Sequence, residues 1–192
     1  MQAAVKACMA FFMPRQAGVS RVQMGFHKQW RDGVRRVTDA FSALPEPDLA
    51  RLRSLSSLVM EQKDAMQALV AQVDAASHCA GCGGACCVSG KYHFTAADLL
   101  VHLATGAPLF APLFDNGLCC YLGAAGCLMA PAYRPFNCIT FNCERIEDLL
   151  PEQEVARFYR LEGELRRSYA QILSLFPGNA MFGALLKGEA GS

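Results

Sequence analysis

Long apolar runs are missing from this chain of 192 residues. No segment reaches the roughly twenty consecutive apolar residues that a bilayer-crossing helix needs, so no membrane span is expected. A charge excess of either sign is missing as well. The 18 Lys and Arg nearly cancel the 17 Asp and Glu, for a formal net charge of +1. Residues 1–78 carry ten basic and seven acidic side chains. That margin is too small and too dispersed to make a phosphate-binding stripe, so no nucleic-acid partner is expected. The 53% hydrophobic content excludes a disordered polymer. Catalytic signatures are absent too. There is no HExxH, no glycine-rich phosphate loop and no serine–histidine–acid order. The C-x3-C-x2-C order of a radical SAM enzyme does not occur either, and nothing in the sequence indicates catalysis.

What the chain does have is cysteine. Nine of its ten cysteines fall between Cys79 and Cys143, and Cys8 stands alone. A chain of this length can bury a sufficient core without disulfide staples. The N-terminal stretch MQAAVKACMAFFMPR has an apolar run, but Lys6 interrupts it, Pro14 ends it and no small-residue cleavage site follows. A cytoplasmic setting is therefore expected. Thiols stay reduced there, which favours metal over disulfides.

The flanks read as helical arms. Val19, Val22, Phe26, Trp30, Val34, Val37, Phe41 and Leu44 recur at spacings of three and four, one stripe of a helix. The break LPEP follows, and Asp48 is placed to cap a second helix with the stripe Leu52, Leu55, Val59, Met66, Val70 and Val73. Arg51, Arg53, Gln62, Lys63 and Gln67 are read as its polar side. Two such helices on a short turn predict an antiparallel hairpin over 19–78. A third stripe, Val155, Phe158, Leu161, Leu165, Ile172 and Leu175, starts after Pro151 and stops at Pro177-Gly178. It predicts a C-terminal helix within 151–187 that packs back on the hairpin, with Trp30 and Phe158 in a three-helix core. Residues 188–192 are expected to fray. Residues 1–18 form a separate apolar segment, and Cys8 is read as a small core residue.

Between the arms, residues 79–150 are rich in Gly, Pro and Asn and read mainly as loops. The exception is a short helix from Ala96 to Ala104. Thr95 and Asp98 have capping-box spacing and Gly106 closes the other end. Loops of this length bury little apolar surface unaided, so metal or docking onto the helices must shape them.

The thiols supply the means. In HCAGCGGACC, Cys79-x2-Cys82 is followed by x3 and the adjacent pair Cys86-Cys87. Two thiolates at x2 spacing can chelate one ion across a tight turn, and glycine permits the necessary backbone angles. Adjacent side chains diverge, so Cys86 and Cys87 serve either two metals or one metal and the core. CCYLGAAGC adds Cys119, Cys120 and Cys127, and RPFNCITFNC adds Cys138 and Cys143. That pool suffices for two four-thiolate sites, or for one iron–sulfur cluster and one single ion. Of the histidines, His78 adjoins Cys79 at a helix end, while His93 and His102 have weaker cases as ligands.

The pattern of Cys79 to Cys87 resembles that of the CxxCxxxCC (YkgJ-like) zinc- or iron-chelating cysteine-cluster proteins. The likeness continues through FTAADLL, which stands where members have a hydroxyl-capped t-x-x-D-[LI] helix. It runs on through CCYL, Cys127 and YRPFNC, and covers residues 79 to about 145. The resemblance implies metal ligands among Cys79, Cys82, Cys86, Cys87, Cys119, Cys127, Cys138 and Cys143, with Cys120 in a variable position. The segment from Cys127 to Cys138 is about one residue longer than the family pattern. Arg134 belongs to the R-P motif. A four-thiolate site carries net negative charge, and a guanidinium nearby would offset it and donate hydrogen bonds to sulfur. The alternative is an exposed loop arginine.

Spacing leaves the metal open. Ferredoxin-type runs space three cysteines by x2 and end in Cys-Pro, whereas here one gap is x3 and Val88 follows Cys87. Zinc sites usually pair two C-x2-C knuckles, and only one is present. The expectation is a mostly α protein, with a helical hairpin and a C-terminal helix packed around a loop-rich cysteine-cluster region that chelates zinc or iron. The iron form includes an iron–sulfur cluster that carries electrons or senses redox state. A protein partner or a homodimer would use the helical arms.

Overall fold

The computed structural model describes residues 21–81, 85–109, 112, 119–123, 126–178 and 180–187, and over these the chain is mostly helical. The apolar segment 1–18 with Cys8, and the tail 188–192, lie outside the described residues. No helix among the described residues is long and apolar enough to cross a membrane.

The first arm is α1 (Arg21–Ser42). Trp30 and Val37 are buried, while Phe26, Val34, Phe41 and Leu44 pack half-buried against the core, as the stripe requires. The second arm is α2 (Glu46–Ala71). Its N-cap is Pro45 rather than Asp48, and no side chain caps it. Prolines at the start of a helix preset φ where a missing N–H costs nothing, so the helix begins before Asp48, which falls in the first turn. Nor does the second arm run unbroken to Cys79. Asp74 adopts φ 51°, a left-handed conformation that Asp tolerates better than most residues. A new short helix, α3 (Ala75–Gly81), starts from it.

The helix expected inside the cysteine region is α4 (Ala96–Thr105). Both hydrogen bonds of the Thr95–Asp98 capping box form, and Gly106 closes the helix at φ 68°. Leu99, Leu100 and Val101 on successive faces are all buried. A helix buried on so many faces belongs at the centre of the molecule, and its position overturns one expectation. α1 packs on α4, and α2 packs on α4 and on α7 (Glu152–Leu173). α1 and α2 do not pack along each other, so they do not form the simple hairpin. α7 does dock on α2, and Trp30 and Phe158 are both buried. α1 reaches the rest of the molecule through α4, whose apolar surface takes the burial that a hairpin with α2 would have offered, while α2 and α7 pack on each other.

After α7 the chain returns across α4 as an extended strap. Leu185 N–H donates to the Phe94 carbonyl at 2.8 Å, and Ala96 N–H to the Gly183 carbonyl at 3.3 Å. Met181, Leu185 and Leu186 are buried beneath it, each leucine contributing on the order of 1.5–3 kcal/mol.

Candidate metal centre

The remaining elements carry the thiols. A 3₁₀ segment spans Ala85–Tyr92, and a small antiparallel ribbon joins β1 (Leu122–Gly123) to β2 (Gly126–Cys127), with Leu122 opposite Cys127. A 3₁₀ turn (Pro131–Tyr133) then leads to α5 (Phe136–Thr140) and α6 (Glu144–Glu147). The loop reading of this region missed the ribbon. Its strands are two residues long, too short for any alternation to register.

One buried carboxylate ties the start of α5 to the helical frame. Asp98 is 1% exposed. Its Oδ2 accepts from Thr95 N–H at 2.9 Å and from the Thr95 hydroxyl at 2.6 Å. Its Oδ1 accepts from the Tyr169 hydroxyl at 2.5 Å and from Phe136 N–H at 3.2 Å. Lys63 Nζ stands 3.6 Å from the same Oδ1 and donates to the Arg134 carbonyl. One acid thus ties α4, α7, α2 and the first residue of α5, which carries Cys138. Desolvation pushes the Lys63 ammonium below its usual range, with Asp98 acting against it, and burial beside Asp98 pushes the Tyr169 hydroxyl well up. The polar-side reading of Lys63 is corrected here, since it is 1% exposed. Its place was visible in the stripe. It follows Val59 by four and precedes Met66 by three, and so fills a gap on the apolar face.

Arg134 is neither exposed nor turned to sulfur by the hydrogen bonds it makes. Its Nε donates to the Met129 carbonyl at 3.2 Å and its Nη1 to Gln67 Oε1 at 3.0 Å. These contacts clamp the 129–134 turn onto α2.

Around this frame the thiols approach one another. Cys138 is half-buried, with Sγ 3.4 Å from His93 Nδ1. Burial pushes its thiol well above the ordinary range, and the negative charges of Cys119, Cys127, Asp98 and Cys87 add to that. Cys119 is buried and shifts the opposite way. The Cys120 thiol donates to it, Tyr121 N–H lies 3.5 Å from its sulfur and Lys91 adds positive charge, so it is lowered to about 7 although burial opposes the shift. Cys120, fully buried, is raised by that same bond and by desolvation. A Cβ on Gly90 would stand 2.8 Å from the Cys119 sulfur, so only glycine lets that sulfur lie there. α3, which carries Cys79, packs against both β2, ending in Cys127, and α6, whose N-cap is Cys143.

Cys87, Cys119, Cys127 and Cys138 are thus gathered within electrostatic reach. Even so, among the described residues no three Cys, His, Asp or Glu side chains stand close enough together to hold an ion. Cys82 lies outside the described residues, as do the side chains of Cys79 and Cys86. As chemistry the donor set fits a soft cation. Thiolates from separate segments, one already favoured as the anion and one penalised by its neighbours' charge, are what a divalent or cluster iron would stabilise. His78 lies in the last turn of α3. His102 is buried against the Tyr133 ring at 4.6 Å and the Phe94 ring at 5.7 Å, a core position. No family model matches the chain, and no curated protein or solved structure matches it either.

Proposed function

We propose that this protein chelates a metal, zinc or iron, through thiolates drawn from Cys79, Cys82, Cys86, Cys87, Cys119, Cys127, Cys138 and Cys143, in a reducing, cytoplasmic setting. One observation carries the reading. Cys138 is half-buried within electrostatic reach of Cys119, Cys127 and Cys87, and their negative charge adds to the burial that raises its thiol. A cation between them reverses the sign of that interaction. The CxxCxxxCC spacing supports the same reading, as does the contact of α3 with the elements bearing Cys127 and Cys143. Bound metal would supply local order, since binding at thiolate sites is coupled to folding. The chain's own part is to present the sulfurs. Asp98 fixes the start of α5, Gly90 leaves room for Cys119, and Tyr121 N–H and the Cys120 thiol orient that sulfur.

The second reading is an iron–sulfur electron carrier or redox sensor. The N–H and S–H groups turned to Cys119 favour it, because hydrogen bonds to sulfur set the potential of such clusters. Anaerobic purification followed by metal analysis tests both. Colourless protein with stoichiometric zinc means a zinc site, and brown protein with iron and acid-labile sulfide means a cluster. Protein that takes up neither metal under reducing conditions overturns the proposal.

A further inference from the structure

A cleft of about 560 Å³ opens between α7, the starts of α4 and α5, and the returning strap. It lies outside the thiol group, although His93, at its edge, touches Cys138. Its volume falls within the range of small-molecule sites, roughly 300–1,000 Å³. The walls are mainly apolar, with Phe136, Phe176, Phe182 and Met181 among the lining residues. Phe182 is 56% exposed, an aromatic ring left facing water at the rim. Among the described residues that line the cleft, Arg166 is the one permanently charged side chain. Its guanidinium lies 5.1 Å from the Phe136 ring centre, and one nitrogen donates to Glu162 at 2.6 Å. A guanidinium offers five N–H donors in a fixed fork, so the pairing with Glu162 leaves most of them free. Stacking on Phe136 holds the fork at the cleft wall.

We propose that this cleft binds a small arylalkyl carboxylate, its ring among Phe176, Phe182 and Met181 and its carboxylate on Arg166. Aromatic rings and the methionine thioether favour an aromatic guest over an alkyl chain through edge, offset-stacked and sulfur contacts. Arg166 is ion-paired with Glu162, and its remaining N–H donors can give a carboxylate charge-assisted hydrogen bonds that a cationic relative cannot accept. The site requires no metal, so its test is independent of the thiol reading.

Calorimetry on the full chain, with 4-phenylbutyrate and its neutral analogue 4-phenylbutanol as probes, decides the matter. The acid is expected to bind more tightly than the alcohol. Arg166→Gln is expected to weaken the acid about tenfold or more, as loss of one charge-assisted contact does, and to leave the alcohol unchanged. Ala170→Trp, on the exposed face of α7 where it lines the cleft, is expected to block both. Circular dichroism melts of both variants establish that they fold. Absence of 4-phenylbutyrate binding to the wild type overturns the proposal. So does equal binding of acid and alcohol, or binding that a folded Ala170→Trp variant retains.

Discussion

Lys63 Nζ lies 3.6 Å from Asp98 Oδ1, and both side chains are sealed from water. The pair is not symmetric. Asp98 has four further donors, from Thr95 N–H, the Thr95 hydroxyl, Phe136 N–H and the Tyr169 hydroxyl. Lys63 has one further acceptor given by the structure, the Arg134 carbonyl. Removing the acid therefore strands a buried ammonium and several donors. Removing the lysine leaves an acid that is still well bonded. Asp98→Ala is expected to cost about 3–5 kcal/mol, the usual cost of breaking a buried pair, and Lys63→Met less than about 3 kcal/mol. Urea unfolding of the two variants checks the order. Equal losses would mean that the ion pair, not the hydrogen bonds, is what Asp98 contributes.

The sequence shows Asp98 only as half of a capping box, because Thr95 is three residues away and its other partners are not local. The Oδ1 bonds reach Phe136 and Tyr169, at separations of 38 and 71 residues, and no pattern in one sequence announces such pairs. Residue type puts Lys63 on the polar side, although its spacing from Val59 and Met66 sets it on the apolar stripe. The stripes of α1, α2 and α7 were legible because each repeats over many turns. Their partners were not, since α4 is short and, buried on so many faces, has no single stripe to indicate which helix it meets. At the candidate thiol centre, the spacing only nominates cysteines for a site. It could not show that Gly90 clears space for Cys119 or that His93 reaches Cys138, because both contacts join segments that are separate in sequence.

The Gly90 contact gives a direct test of that centre. A methyl at Gly90 would overlap the Cys119 sulfur at 2.8 Å. Gly90 is buried and the Cys119 side chain is short, so the sulfur itself must move. Gly90→Ala is expected to lower bound metal about as much as Cys119→Ser, with the helices intact by circular dichroism. Cys120→Ser keeps a donor beside Cys119 and is expected to retain the metal. Full metal content in Gly90→Ala would place Cys119 outside the ligand set.

Acid should weaken the fold through His102. Burial first, and then the Lys63 charge, lower its pKa from 6.5. Between its folded value and 6.5 the unfolded chain binds the proton and the native state does not. Stability from this group is therefore complete above about 6.5 and falls as pH drops through that window. His93 is lowered by burial too, so it adds to the same slope. His102→Phe keeps a ring against Tyr133 and Phe94 without the titration. Its thermal midpoint is expected to fall less than that of the wild type between pH 7 and pH 5. Parallel curves would show that His102 carries no part of the acid sensitivity.

If the thiolates hold a metal as proposed, its removal should loosen the molecule unevenly. α4, α5 and the turn at Arg134 are tied to α2 and α7 by Asp98, Lys63 and the bonds from Arg134 to Met129 and Gln67, none of which involves a thiol. The 3₁₀ segment Ala85–Tyr92 carries Cys87 and sets Gly90 against the Cys119 sulfur, so it lies beside the thiols themselves. At its charged end, Lys91 Nζ lies 5.5 and 5.3 Å from the Phe26 and Tyr92 ring centres. Thiolate–metal binding can be worth on the order of 10 kcal/mol of local folding energy, and that energy should be concentrated in the segments that carry the sulfurs. Treatment with a strong chelator under reducing conditions is expected to speed tryptic cutting after Lys91 by about tenfold or more. The arginines of α7 should stay protected and the helical circular dichroism should change little. Unchanged cutting at Lys91 in verified metal-free protein would mean that docking on the helices, rather than metal, holds the cysteine segments in place.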